Sequence, residues 1–347
     1  MNIQPRESST EGEDCFTLCV SSILNYKEFS PFLAVWKQCG LLYSEDPERG
    51  TPKLAPSYMT VEQELRHIHR IDLQIRREHD QTDVVKQIMT HLHQNEPVIV
   101  WVDVFYLQYN SLYQVMHSAH CIVLSEYADG KFGFIDDFYH LKGSMDEQDL
   151  IQALDLGMTP LIREGTRFRY ATLDITDAVR KVPERDFYAM LHHNQTILGG
   201  ESEELRSQSG WQELVRPLAG IAAIERYVQS TRSYMEHVTE LTEEFLDNMY
   251  SDLAGISNNR YLYGHFLREG IPYDPELSKL IDNYDYAAQR WNLAANMTLK
   301  SLYQNVDRRH QMLNRALGKV QEIIAIEHQA CEMGKSLVAN SGFSMMS

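Results

Sequence analysis

The chain has 347 residues, 43% of them hydrophobic, and a formal net charge of −17; that size and burial capacity suit two globular units. Such a charge repels a phosphate backbone, and with no dense Lys/Arg stripe interleaved with aromatics the pattern argues against nucleic-acid binding. No stretch approaches the roughly 20 apolar residues of a membrane span, and the polar start MNIQPRESSTEGED lacks the apolar core of a signal peptide, so no membrane and a cytoplasmic location are expected.

Five cysteines, Cys15, Cys19, Cys39, Cys121 and Cys331, are odd in number, scattered and without a C-x-x-C pair, which favours reduced thiols over disulfides or structural zinc. Phe16, Cys19, Val20, Ile23 and Leu24 fall at helical spacing, so the first helix starts at or just after Cys15. Thr60 and Gln63 form a capping pattern for a second helix, and Val84, Val85, Ile88, Met89 and Leu92 mark the face of a third. From residue 15 to about 110 the expectation is a series of short helices. The texture then changes at Pro97: PVIVWVDVF, HCIVLSEY and KFGFIDDFY are β-branched and aromatic, and Asp129-Gly130 between the last two signals a hairpin. The Gly/Ser/Glu-rich passage near residues 196–211 reads as a linker, and after Trp211 the pattern is helical, broken at Gly270-Ile271-Pro272. The expected organisation is therefore α+β, a helical layer and antiparallel sheet over residues 1–195 followed by an all-α bundle over 212–347.

Cys15 differs from Cys19 by its place. Cys19 lies inside the apolar stripe, whereas Cys15 follows the acidic GED at the helix start. Unpaired N–H groups and the positive dipole end stabilise a thiolate there and can hold an oxyanion. Glu11, Glu13 and Asp14 oppose this by disfavouring the thiolate, so a histidine partner is required. His120, at the start of HCIVL, is the candidate; His117 is a poorer one, three residues away and on the opposite strand face. The next strand supplies an orienting carboxylate, and pairing arithmetic leaves two choices. A two-residue Asp129-Gly130 turn puts Asp137 on the His120 face, and a three-residue Ala128-Asp129-Gly130 turn puts Asp136 there. Asp103, Tyr106, Tyr109 and Tyr113 lead toward His120 and wall a cleft or pack a strand end. The H-x-H pairs at His67/His69 and His91/His93 fall on predicted helices, where residues two apart diverge, and make a poor metal site.

With these parts in place, the N-terminal half resembles the butirosin-biosynthesis protein H family of acyltransferases, whose fold is cysteine-peptidase-like (papain-like). The resemblance rests on the Cys15 helix running into ILNY, WVDVFYLQY, AHCIVLSEY and FGFIDDF, over roughly residues 12 to 170, with RYLYGHFL and the Trp291 helix matching the companion helical domain. It implies Cys15 as acyl-accepting nucleophile, His120 as general base and acid, and Asp136 as orienter of the imidazole, with Asp103, Tyr106, Tyr109 and Asp137 along the substrate cleft. It implies no metal and no cofactor, an acyl group presented on the phosphopantetheine arm of an acyl- or peptidyl-carrier protein, and a small amine acceptor. Two features depart from related cysteine peptidases: only Ser8, Ser9 and Thr10 stand where an oxyanion-binding Gln is usual, and Asp137 occupies a position commonly filled by Pro. Carrier proteins are commonly acidic, so a local basic patch from Arg76, Arg77, Arg163, Arg167 and Arg169 is needed for docking. A hydrolase using water and a non-catalytic binding protein are the rival readings.

Overall fold

A computed structural model describes residues 3–6, 10–47, 49–159, 167–200, 218–238 and 240–343. The fold is α+β: a mixed helical and antiparallel-sheet region precedes an all-helical one. By packing, the chain forms two compact units, Met1–Phe32 with Leu65–Arg180 and Leu33–Glu64 with Lys181–Ser347. Each unit is thus assembled from two separate stretches of the chain. Residues 196–198 close helix Glu184–Leu198, and the rest of the expected linker, from 201, lies outside the described residues, as does Trp211.

In the first unit, helix α1 (Cys15–Tyr26) begins at the residue the apolar stripe indicated. Asp14 caps it reciprocally: its carboxylate accepts from Thr17 N at 2.8 Å while Thr17 Oγ1 accepts from Asp14 N at 2.7 Å, which fixes where the helix starts. Strands β3 (Asp72–Glu78), β4 (Val98–Asp103), β5 (Ala119–Ala128), β6 (Lys131–Asp136), β7 (Leu141–Asp146) and β8 (Phe168–Asp174) form a sheet in the order β3-β8-β4-β5-β6-β7, antiparallel throughout. One face packs Val100, Val102, Ile122, Leu124, Phe134 and Tyr170 with α3 (Gln81–His93) and α4 (Glu147–Leu154). On the opposite face α1 lies over β4 and β5, its far end tied by Lys27 Nζ to Leu173 O at 2.9 Å. Burial on both faces explains the near-continuous apolar run of β4.

β3 falls where only helices were expected. Its alternation of Leu73 and Ile75 with Asp72, Gln74 and Arg76 is the period-2 pattern of a half-covered strand. Helix α2 (Val61–Arg66) has the expected Thr60–Gln63 box, with Thr60 N donating to Gln63 Oε1 at 2.9 Å. His67 and His69 follow it in a turn, not in a helix, and buried His69 holds Val179 O through Nδ1 at 2.9 Å.

The second unit carries a small sheet, β1 (Leu42–Glu45) between β2 (Pro52–Ala55) and β9 (Leu218–Ala219). Around it stand α5 (Glu184–Leu198), α6 (Ile221–His237), α7 (Glu243–Arg268), α8 (Leu277–Ser301) and α9 (Val306–Asn340). Its helices enclose an ion pair: Arg260 Nε donates to Glu327 Oε1 at 2.9 Å, and Trp291 Nε1 donates to the same oxygen at 2.8 Å. Both charged side chains are fully buried, so removal of either leaves an uncompensated charge, at a cost of roughly 3–5 kcal/mol. Among the described residues no helix is long and apolar enough to cross a membrane.

Candidate active site

Cys15, the first residue of α1, sits half-buried where the helix meets β5. β5 opens with Ala119, so His120 stands at the strand's start, beside Cys15. His120 Nε2 lies 2.8 Å from Asp136 Oδ2. A carboxylate only accepts, so Nε2 carries the proton it donates and Nδ1 is left to face the Cys15 sulfur. Asp136 has no exposure and its acceptor sites are well used: Tyr109 OH donates to Oδ2 at 2.9 Å, and Phe138 N and Tyr139 N donate to Oδ1 at 3.1 and 3.4 Å. These donors hold the carboxylate in one orientation, and through it the imidazole.

The hairpin explains why Asp136, and not Asp137, meets His120. The turn has two residues: Ala128 pairs with Lys131, and Asp129 and Gly130 take positive φ of 53° and 75°, the form Asp-Gly favours. Continued without interruption, that register would bring Asp137 to the His120 face. The register shifts between Leu124 and Glu126, where Ser125 is the extra residue, and this bulge reverses the parity of everything beyond it. Asp137 turns elsewhere: Oδ1 accepts from Arg6 N at 2.7 Å, and Oδ2 accepts from Ser22 Oγ, pinning the N-terminal segment to α1.

The electrostatics favour a thiolate. A hydrogen bond from the Cys121 thiol, opposed by burial and reinforced by His120, brings the Cys15 thiol down to about 5. Burial alone would lower His120, but its bonds to Asp136 and Cys15 lift it to about 9. The acidic GED does less harm than its charge suggests. Glu13 is paired with Arg6 NH1 at 2.6 Å, Asp14 spends its carboxylate on the helix cap, and its charge weighs on Cys15 less than Cys121, burial or His120 do. Cys121 is the partner that sequence reasoning missed. It reads as one more core residue of HCIVL, yet its thiol is raised well above the usual range by burial and by Cys15, as befits a donor. Burial likewise raises Cys19 well above its ordinary value.

The other site expectations divide. Tyr109 reaches the constellation through Asp136, and burial together with that carboxylate raises its phenol. With Tyr106 it also lines a cavity of about 390 Å³ bounded by Phe134, Leu141, Met145 and Asp146. Asp103, expected in the cleft, is instead wholly buried and committed to the chain. It accepts from Phe105 N and Ser118 N, both at 3.1 Å, and from His117 Nδ1 at 2.6 Å. Phe138 and Tyr139 present their edges to the His120 ring at 5.8 Å and are 53% and 40% exposed, forming an apolar lip that the sequence reading passed over. Ser8 and Ser9 lie outside the described residues, while Thr10 Oγ1 accepts from Arg6 NH2 at 3.2 Å.

A thiol at a helix start, with an imidazole and a carboxylate on neighbouring antiparallel strands, is in geometry a Cys-His-Asp site. Residues 32–137 match the family model described as butirosin biosynthesis protein H, N-terminal. The matched stretch contains His120 and Asp136 but begins after Cys15. No curated protein matches the chain.

Proposed function

We propose that the chain is a cysteine-dependent acyltransferase that takes an acyl group from the pantetheine thioester of a carrier protein onto Cys15 and passes it to a small amine, making an amide in specialised-metabolite biosynthesis. The observation that carries this reading is the chain of contacts from Cys15 through His120 to Asp136, with the thiol lowered to about 5 and the imidazole raised to about 9. Between those limits the resting site is a thiolate–imidazolium pair, and a thiolate attacks a thioester without a prior deprotonation.

In the first step the Cys15 sulfur bonds to the thioester carbonyl carbon, and the N–H groups of Cys15 and Phe16, which α1 leaves without intrahelical acceptors, stabilise the oxyanion. The pantetheine sulfur departs with the proton of His120 Nδ1. Acylation also removes the thiolate that helped raise His120, so the imidazole falls in basicity and stands neutral, ready to deprotonate the incoming amine as the amide bond forms and Cys15 is released. Asp136 holds the imidazole in the required tautomer throughout. The family match to an antibiotic-biosynthesis domain supports transfer to an amine over hydrolysis.

Intact-protein mass spectrometry tests this directly, with wild type, Cys15→Ala and His120→Ala mixed with acyl-pantetheine thioesters and then with amines. An adduct that requires Cys15 and is discharged as an amide is expected. Discharge by water at the same rate with and without amine would replace the transferase by a hydrolase, and an unreactive Cys15 would leave a binding protein.

A further inference from the structure

Asp136 closes β6 and Asp137 follows it, so the two side chains face opposite ways. Asp136 holds the His120 imidazole, and Asp137, on the other side of the sheet, accepts from Ser22 Oγ of α1. Asp137 is 3% exposed, and its second oxygen accepts from Arg6 N at 2.7 Å. Each of these donors leads to Cys15. Ser22 stands two helical turns after it on the same stripe, ~10 Å along the axis. Arg6 returns through its guanidinium to Glu13 at 2.6 Å, just before the Asp14 cap, and the Glu13 side chain has no exposure. One buried carboxylate thus anchors the chain on both sides of the nucleophile, and the peptide bond to Asp136 joins that anchor to the acid of the triad. Of the arginines expected in a docking patch, Arg76 donates to Gln74 Oε1 at 2.7 Å, Arg167 is paired with Asp155 and Arg163 lies outside the described residues; Arg6, outside that set, is tied to the site.

Resting on Cys15 as the reacting thiol of the acyltransferase reading, we infer that Asp137 is a positioning residue: it seats the start of α1 on the sheet so that the thiol meets His120 while Asp136 holds that imidazole from behind. Cys15 and His120 belong to different elements, a helix start and a strand start, so their contact is set by how the helix sits. A misplacement of ~1 Å costs on the order of 100-fold in rate. Apolar burial under α1 is non-directional and leaves room for a helix to slide. A buried carboxylate with two donors is directional, and it resists any shift that leaves one of its oxygens without a partner. The tie at the far end of α1, from Lys27 Nζ to Leu173 O at 2.9 Å, runs through a long flexible stem that follows small slides. The short Ser22 and Asp137 side chains do not.

The test reads alkylation of Cys15 by iodoacetamide against pH, assigned by peptide mass, in wild type, Asp137→Asn, Ser22→Ala and Asp103→Asn, with the urea midpoint of each. In wild type the rate rises through about 5. Loss of the seat should raise that midpoint by about one unit or more, a tenfold loss of thiolate at lower pH, and slow acylation by acyl-pantetheine by ~10–100-fold. The sign discriminates. The Asp137 charge raises Cys19, one turn from Cys15, so removing the charge alone would lower the midpoint, and an increase reports displacement. Ser22→Ala removes the anchor and no charge; it should raise the midpoint too, and it decides the matter if Asp137→Asn folds poorly. Asp103→Asn, a strand-end carboxylate bonded within the β4–β5 connection, should lower the urea midpoint and leave the Cys15 profile in place. A Cys15 midpoint that stays or falls in the folded Asp137 and Ser22 variants would overturn the inference and leave the acyltransferase reading intact. A raised midpoint in those variants, with no acylation of wild type by any thioester, would keep the seat and sink the transferase.

Discussion

Two His–Asp pairs flank the same strand. β5 lies between β4 and β6, each of which ends in a buried aspartate, Asp103 and Asp136. Both aspartates cap the turn that follows with one oxygen and grip a histidine of the β5 segment with the other, Asp103 holding His117 at 2.6 Å and Asp136 holding His120 at 2.8 Å. The differences lie beyond the pair. His120 has Cys15 on its other nitrogen and 9% of its side chain exposed, whereas His117 stacks on Phe105 at 4.2 Å and is 27% exposed. A buried aspartate beneath a histidine is thus a way to end a strand in this fold. Of the two pairs, only that of His120 has a thiol, brought by a helix start, beside the histidine.

Breaking the comparison begins with the thiol. Cys15→Ala should abolish the thioester adduct outright, a loss on the order of 10⁴-fold or more in acyl transfer, read by intact mass. His120→Ala should slow acylation by ~10³-fold, while His117→Ala should change it by less than ~3-fold; comparable losses would merge the two pairs into one machine. Asp136→Asn should cost roughly 10–1,000-fold in rate and shift the alkaline limit downward, since Asp136 helps raise His120. Asp103→Asn should instead lower the urea midpoint, a stability loss of ~1–3 kcal/mol, with little change in acylation. The pH profile sharpens the same point. Carboxamidomethylation of Cys15 should rise as pH passes about 5, where the lowered thiol ionises, and acyl transfer should fall above about 9, where the raised imidazolium loses its proton. The smallest effect is expected from Tyr109→Phe, ~3–10-fold in rate, since one of four hydrogen bonds to Asp136 is lost.

The parts of the fold written in local pattern were legible in the sequence. The α1 stripe, the Thr60–Gln63 box, the aromatic strands and the Asp129-Gly130 turn each depend on residues a few positions apart. What escaped depends on distant partners. Strands β1 and β2 are four residues each and find their third partner at Leu218; β3 carries only two apolar side chains among its charges. Spacing named Cys15 and His120 as candidates but left Asp136 and Asp137 level, because parity along a hairpin is fixed by every residue in it and the bulge at Ser125 carries no sequence mark of its own. The pairing of Glu13 with Arg6 was hidden for a similar reason: a charge count adds charges, and only the fold shows which of them cancel.

The discontinuous packing has a consequence in time. β1 must wait for Leu218, about 175 residues after it, which at ~5–20 residues per second means roughly 9–35 s of translation with that strand edge unpaired. The segment from Leu33 to Glu64 is made early and housed late, so the nascent chain carries an apolar debt through most of its synthesis.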